Sequence, residues 1–158
     1  MNITILCVGK IKEKFYTDAV KEYSKRLSRF AELEVVEIPD ESIPQNASEK
    51  QQEQIKEREG QKLLSRIKPQ SLVIAMCIEG KEVSSPELAK LVSDAPLRHS
   101  RITFIIGGSL GLSDEVKKRA DYRLSFGRIT LPHQLMRVVL TEQIYRAYMI
   151  SSGASYHK

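Results

Sequence analysis

Apolar and polar positions fall in blocks of changing period along this chain. Asn2 to Val8 is a short apolar run with β-branched residues, closed by Gly9, which predicts a strand. From Lys12 to Phe30 the period lengthens. Phe15, Ala19, Tyr23, Leu27 and Phe30 recur at three- and four-residue steps, which predicts a helix. Leu33 to Ile38 predicts a second strand, and Pro39 to Ala47, with its prolines and acids, a loop. Ser48, with Gln51 three residues on, forms a capping box for a polar helix running to about Lys68. That helix is apolar only at Leu63, Leu64 and Ile67, so its charged first half reads as a solvated face.

Ser71 to Cys77 predicts a buried strand ended by a turn at Glu79-Gly80-Lys81, and Ser85-Pro86-Glu87 opens the next helix with Ser85 as its cap. Ile102 to Ile106 is a wholly apolar strand, followed directly by Gly107-Gly108-Ser109-Leu110-Gly111. Ser113 caps a short helix ending near Ala120, Tyr122 to Ser125 is a further strand, and a loop runs to Pro132. Leu135 to Ser151 is the last helix. The order βαβαβαβαβα predicts one α/β domain over residues 1–158, with a parallel sheet and helices on both of its faces.

The last helix changes the picture. Leu135, Met136, Val138, Val139, Leu140, Ile144, Tyr145, Ala147, Tyr148, Met149 and Ile150 cover nearly every direction around its axis. A helix apolar all round has to be buried on all sides, which is hard for a terminal helix in a small protein without a second subunit. The pattern therefore predicts a homodimer through this helix. Glu142 and Arg146, four apart, can pair on one side of it.

Composition narrows the class. Hydrophobic residues make up 41% and charged residues 28% of the 158, as in water-soluble globular domains rather than disordered or membrane chains. No apolar run approaches the roughly 20 residues of a membrane helix, and Met1 to Gly9 lacks the basic and apolar regions of a signal peptide. A cytoplasmic protein is expected. Cys7 and Cys77 lie apart in apolar segments without histidines at ligand spacing, so they read as reduced thiols and no metal site is expected. The net charge of +5 points mildly to a polyanionic partner.

Two segments carry candidate chemistry. The glycine turn from Gly107 to Gly111 lies between a buried strand and a helix, where open parallel sheets bind ligands and glycines admit close backbone approach. It is neither a Walker loop nor a G-x-G-x-x-G turn, and by itself it also fits a plain strand-to-helix connection. The second segment is Leu124 to Arg137, a strand end and loop holding Gly127, Arg128, Thr130 and His133 ahead of an apolar helix. By itself this fits either a site or a connecting loop in which His133 only caps the helix. Tyr156-His157-Lys158, after Ser151-Ser152-Gly153, reads from composition alone as a frayed tail.

Taken together, Ile5 to Lys10, Ile106-Gly107-Gly108, Leu124-Ser125, Leu131 to Val138, Glu142 to Ala147 and Tyr156-His157-Lys158 resemble one family over essentially the whole chain. It is the ribosomal RNA large-subunit methyltransferase H family, the pseudouridine-N3 methyltransferases of the SPOUT class. Phe126-Gly127-Arg128-Ile129-Thr130 departs from the Ser-Lys-Met-Thr form of relatives, which matters little if that loop binds through its backbone.

The resemblance implies a C-terminal trefoil knot, a homodimer, and S-adenosylmethionine bent among the knot loops. Its contacts would be Met76, Gly107, Gly108 and the loop Phe126, Gly127, Arg128, Ile129, Thr130 and Leu131. The reaction implied is methyl transfer to N3 of a pseudouridine in 23S ribosomal RNA, on the assembled ribosome. His133, Arg137 and His157 are the candidate catalytic groups, as cations beside the developing imidate or, for the histidines, as proton acceptors. Arg128, Lys117, Lys118, Tyr156, His157 and Lys158 are candidate RNA contacts, with Lys10, Lys12, Lys14, Arg98, His99, Arg101 and Arg119 as further phosphate partners. Two other classes stay open on the residues alone: a noncatalytic ribosome- or RNA-binding protein, and a nucleotide-dependent α/β enzyme using the glycine turn for phosphate.

Overall fold

The computed structural model describes residues 1–158. Its strands are β1 (Asn2–Val8), β2 (Glu32–Ile38), β3 (Ser71–Glu82), β4 (Arg101–Ile106) and β5 (Tyr122–Ser125). Its helices are α1 (Lys14–Leu27), α2 (Glu49–Leu64), α3 (Ser85–Asp94), α4 (Asp114–Arg119) and α5 (His133–Ser151). The strands form one parallel sheet in the order β2-β1-β4-β3-β5. Helices cover both faces, as the alternation of elements predicts.

Side chains alternate across the sheet and so feed two cores. Ile3, Ile5 and Cys7 of β1 join Phe104, Ile74, Leu27, Leu88, Leu140 and Ile144, under α1, α3 and α5. Leu6 and Val8 join Val73, Ala75, Ile105, Leu63 and Val116, under α2 and α4. β4 is central and buried from Ile102 to Ile106, which explains its unbroken apolar sequence.

Several boundaries differ from the sequence reading for physical reasons. The cap of α3 is Ser84 rather than Ser85, because Ser84 Oγ accepts the Glu87 N–H while the Glu87 carboxylate accepts the Ser84 backbone N–H. β3 does not end at Cys77. Met76 and Lys81 both pair with Leu124, so Cys77 to Gly80 bulge out and the strand resumes to Glu82. Gly80 permits this, since a Cβ there would lie 2.8 Å from the backbone of Arg123 and Leu124. α1 starts at Lys14, and its inward stripe is Tyr16, Val20, Tyr23 and Leu27, which leaves Phe15 in solvent.

α5 corrects the premise of the dimer argument. It packs on α1 and on α3 over the sheet, so much of its apolar surround comes from its own chain. Leu140, Thr141, Ile144, Tyr145 and Ala147 are buried there. Leu135, Val138, Val139, Glu142, Arg146 and Met149 recur at helical spacing on the outer side and stay half-buried.

Candidate functional site

The carboxyl ends of β3, β4 and β5 open into a cavity of about 820 Å³. That is a size suited to a cofactor. Gly107 and Gly108 form one wall, Met76 another, and Phe126, Gly127, Ile129, Thr130 and Leu131 a third; His133 and Met136 of α5 close one end.

Each wall follows from local sequence. Gly107 passes so close to the turn that a Cβ would meet the Gly111 backbone at 2.8 Å, so the turn needs glycine. At Gly108 a Cβ would approach Val8 Cγ1 at 3.2 Å and Glu59 Oε1 at 3.4 Å. Gly127 adopts φ +121°, and Ser125 Oγ holds it from both sides, accepting from the Gly127 N–H and donating to its carbonyl. From Arg128 to Leu131 no backbone N–H donates to another backbone group, which leaves a row of donors beside the apolar Met76, Ile129 and Leu131.

His133 is half-buried, and its pKa is lowered, first by desolvation and then by the charge of Arg137. Arg137 Nη2 lies 3.3 Å from His133 Nδ1. Both Nη2 hydrogens go to the Val8 and Gly9 carbonyls, so this contact acts on the ring through charge: a nitrogen facing a guanidinium is favoured without its proton, which puts the neutral ring's proton on Nε2. His133 stands in the cavity lining at the α5 end.

Arg137 does not reach the cavity, which corrects its candidacy as a catalytic group. It is wholly buried and engaged within the chain. Nη1 donates to Glu37 Oε2 at 2.7 Å, and Nη2 donates to the carbonyls of Val8 and Gly9 at 3.0 and 2.7 Å. It clamps the start of α5 to the ends of β1 and β2.

The RNA candidates separate. Lys117 lines the cavity and is ion-paired with Glu79, so it faces the pocket rather than open surface. Lys118 is exposed on the other side of α4, beside Glu115 and Arg58 of α2. Arg128 is exposed at the loop, outside the cavity lining. The tail is packed rather than frayed. Tyr156 donates to Glu142 Oε1 at 3.0 Å and lies edge-on to Tyr145, with Arg146 stacked 4.8 Å over its ring. His157 Nδ1 is 3.2 Å from Arg146 Nη1. His157 thus sits 13 residues along α5 from His133, roughly 20 Å at 1.5 Å per residue, and away from the cavity of its own chain. Lys158 is exposed.

Sequence reasoning missed Lys56, Cys77, Ile78 and Glu79, all of which line the cavity. The Glu-Gly-Lys turn signal was there, but only the resumption of β3 aims that bulge at the pocket. It also missed Glu59, which is 5% exposed in the second half of α2, ahead of the apolar residues that begin at Leu63. Glu59 Oε2 accepts the Glu41 N–H at 3.0 Å, and burial pushes its pKa up. It holds the 40–41 segment behind the glycine turn.

A family model described as "Predicted SPOUT methyltransferase" matches residues 1–157. The chain belongs to the SPOUT methyltransferases. A ribosomal RNA large subunit methyltransferase H from Lactobacillus acidophilus is 58% identical over 159 aligned positions, covering 100% of both chains. The protein of that name from Clostridioides difficile is also 58% identical with the same coverage. Among solved structures, a probable methylase family protein from Haemophilus influenzae matches with a TM-score of 0.55 at 14% identity, covering 99% of this chain and 70% of that one. That match supports the fold. Membership sets aside the phosphate-binding reading of the glycine turn. No helix is long and apolar enough to cross a membrane.

Proposed function

We propose that this SPOUT enzyme uses S-adenosylmethionine to methylate N3 of a pseudouridine in 23S ribosomal RNA within the assembled ribosome. The observation that carries the reading is the cavity, whose glycine turn and open backbone donors suit an adenine, in a chain alike end to end to ribosomal RNA methyltransferases. Met76, Gly107, Gly108 and Phe126 to Leu131 would hold the cofactor, the loop N–H groups meeting the adenine edge and Met76, Ile129 and Leu131 its faces.

When bound, S-adenosylmethionine supplies an electrophilic methyl group on a sulfonium. The chain's own work is to align an incoming ring nitrogen with that methyl. The imide proton must leave N3, and charge then grows on the flanking carbonyl oxygens. His133, in the cavity lining, would donate to one of them through Nε2–H and so stabilise that charge. The proton itself passes to solvent in this reading.

The half-buried outer stripe of α5 supports a homodimer, since four of its six residues are apolar and Glu142 and Arg146 satisfy each other at 2.6 Å. Arg128, Lys118 and the tail are assigned to RNA, and the ribosomal substrate makes the protein cytoplasmic. The trefoil knot belongs to the same reading, with the 126–132 loop leading from the β5 edge to α5 on the α1–α3 face. Ribosomal RNA from a strain lacking the gene tests the function: one N3-methylpseudouridine should vanish and return on complementation. An unchanged nucleoside profile would reject it.

A further inference from the structure

Of the four phenylalanines, only Phe15 has most of its surface in water, at 63% exposure in the first turn of α1. Its ring lies 4.3 Å from that of half-buried Tyr16, tilted by 51°, so the two rings touch while most of Phe15 stays open. The amphipathic stripe of α1 accounts for Tyr16 but not for Phe15.

The surroundings are basic. Lys10, Lys12 and Lys14 are exposed; Lys14 pairs with Asp18, whereas Lys10 and Lys12 have no carboxylate partner. The segment carrying them is nonetheless fixed. Gly9 N–H donates to the Ile38 carbonyl at 2.8 Å, Ile11 N–H to Glu37 Oε2 at 2.9 Å, and Lys12 N–H to Gln134 Oε1 at 2.9 Å. Glu37 is itself held by Arg137. The segment is thereby docked on the first turn of α5, next to His133 in the cavity wall. The charge of Lys12 is close enough to help lower the His133 pKa.

An open aromatic ring in contact with a second one, on a segment with unpaired cations that is docked on the start of α5 beside His133, matches one ligand chemistry. Unpaired nucleotides offer a π-face for stacking and a phosphate for a cation. We infer that Phe15, in contact with Tyr16 and flanked by Lys10 and Lys12, is a stacking site for an unpaired ribosomal RNA nucleotide near the one being methylated. The inference rests on the ribosomal RNA reading above. It also gives Tyr16 a role as the support of that platform, and it separates base contact from phosphate contact on one short segment.

The test uses the full-length enzyme with purified large ribosomal subunits as the probe. Phe15→Ala and Phe15→Leu should each raise KM for subunits about tenfold, the effect of losing one stacked base, with kcat and S-adenosylmethionine affinity by calorimetry unchanged. Phe15→Trp should restore KM. The slope of log affinity against log salt should be unchanged in all three Phe15 variants, since stacking releases no counterion. It should fall by about 0.7–0.9 in Lys12→Ala. A Phe15→Leu enzyme with wild-type KM would overturn the stacking site. So would a change in sedimentation with KM untouched, because Phe15 would then be a contact between copies of the chain. A wild type that transfers no methyl to subunits would remove the ribosomal RNA reading itself, whereas an active wild type indifferent to Phe15 removes the stacking site alone.

Discussion

Arg137 donates to Glu37 Oε2 at 2.7 Å across 100 residues of sequence, from a position with no exposed surface. The pair joins the first turns of α5 to the end of β2, and the same guanidinium reaches the Val8 and Gly9 carbonyls beside it. Arg137→Ala should therefore destabilise the fold by about 2–4 kcal/mol, less than a fully enclosed pair because Glu37 is partly exposed. Arg137→Lys should recover little, since an ammonium cannot span three separate acceptors. Urea denaturation checks this. Unchanged stability with lost turnover would return Arg137 to the catalytic set.

The lowered pKa of His133 has a stability consequence. A histidine whose folded pKa lies below its unfolded value of about 6.5 binds fewer protons when folded. Stability from this group is thus constant above about pH 7 and falls as pH drops through the unfolded pKa toward the folded one. His133→Asn should flatten the stability profile below about pH 7 relative to wild type. Parallel profiles in that window would show that the ring is not held neutral by Arg137 and burial.

The two glycines of the turn should respond differently. Gly107→Ala places a Cβ 2.8 Å from backbone that cannot move cheaply, so the turn must distort and cofactor affinity should fall at least tenfold. Gly108→Ala meets side-chain atoms at 3.2 and 3.4 Å, so its loss should be smaller. Calorimetry with S-adenosylmethionine on both folded variants gives the order, and the reverse order would move the ligand from Gly107 toward Gly108.

Adjacent lysines of α4 should separate cofactor from RNA. Lys117→Glu sets a second acid against Glu79 in the cavity wall and should weaken cofactor binding. Lys118→Glu should leave that binding alone and weaken ribosome binding, with a shallower salt dependence. Deleting Tyr156 to Lys158 should resemble Lys118→Glu, because the tail rests on Glu142 and Arg146 rather than in the cavity. Loss of cofactor affinity on tail deletion would contradict this division.

The strands and most caps were legible because their causes are local. β1 and β4 read directly as apolar runs, and the Ser48–Gln51 box fixes the start of α2. The cavity walls at Met76, Gly107, Gly108 and Phe126 to Leu131 were named from strand ends and family likeness, although Arg128 turns away from the lining. What was not legible depends on distant partners. Arg137 looked like a site cation until Glu37 was seen beside it, and Glu59 was missed because nothing in α2 marks the neighbouring Glu41 and Gly108. The all-round apolar α5 gave no sign that α1 and α3 would cover most of it.

The central claim is a methyl group on one ring nitrogen, and the most direct measurement follows that atom. Large ribosomal subunits from cells lacking the modification are incubated with the enzyme and S-adenosylmethionine carrying a labelled methyl, and the nucleosides are fragmented by mass spectrometry. The account predicts one labelled nucleoside per subunit, with the methyl on N3 of pseudouridine, and no label on protein-free RNA fragments. Label on another nucleoside, on another ring atom, or none at all on intact subunits would contradict it.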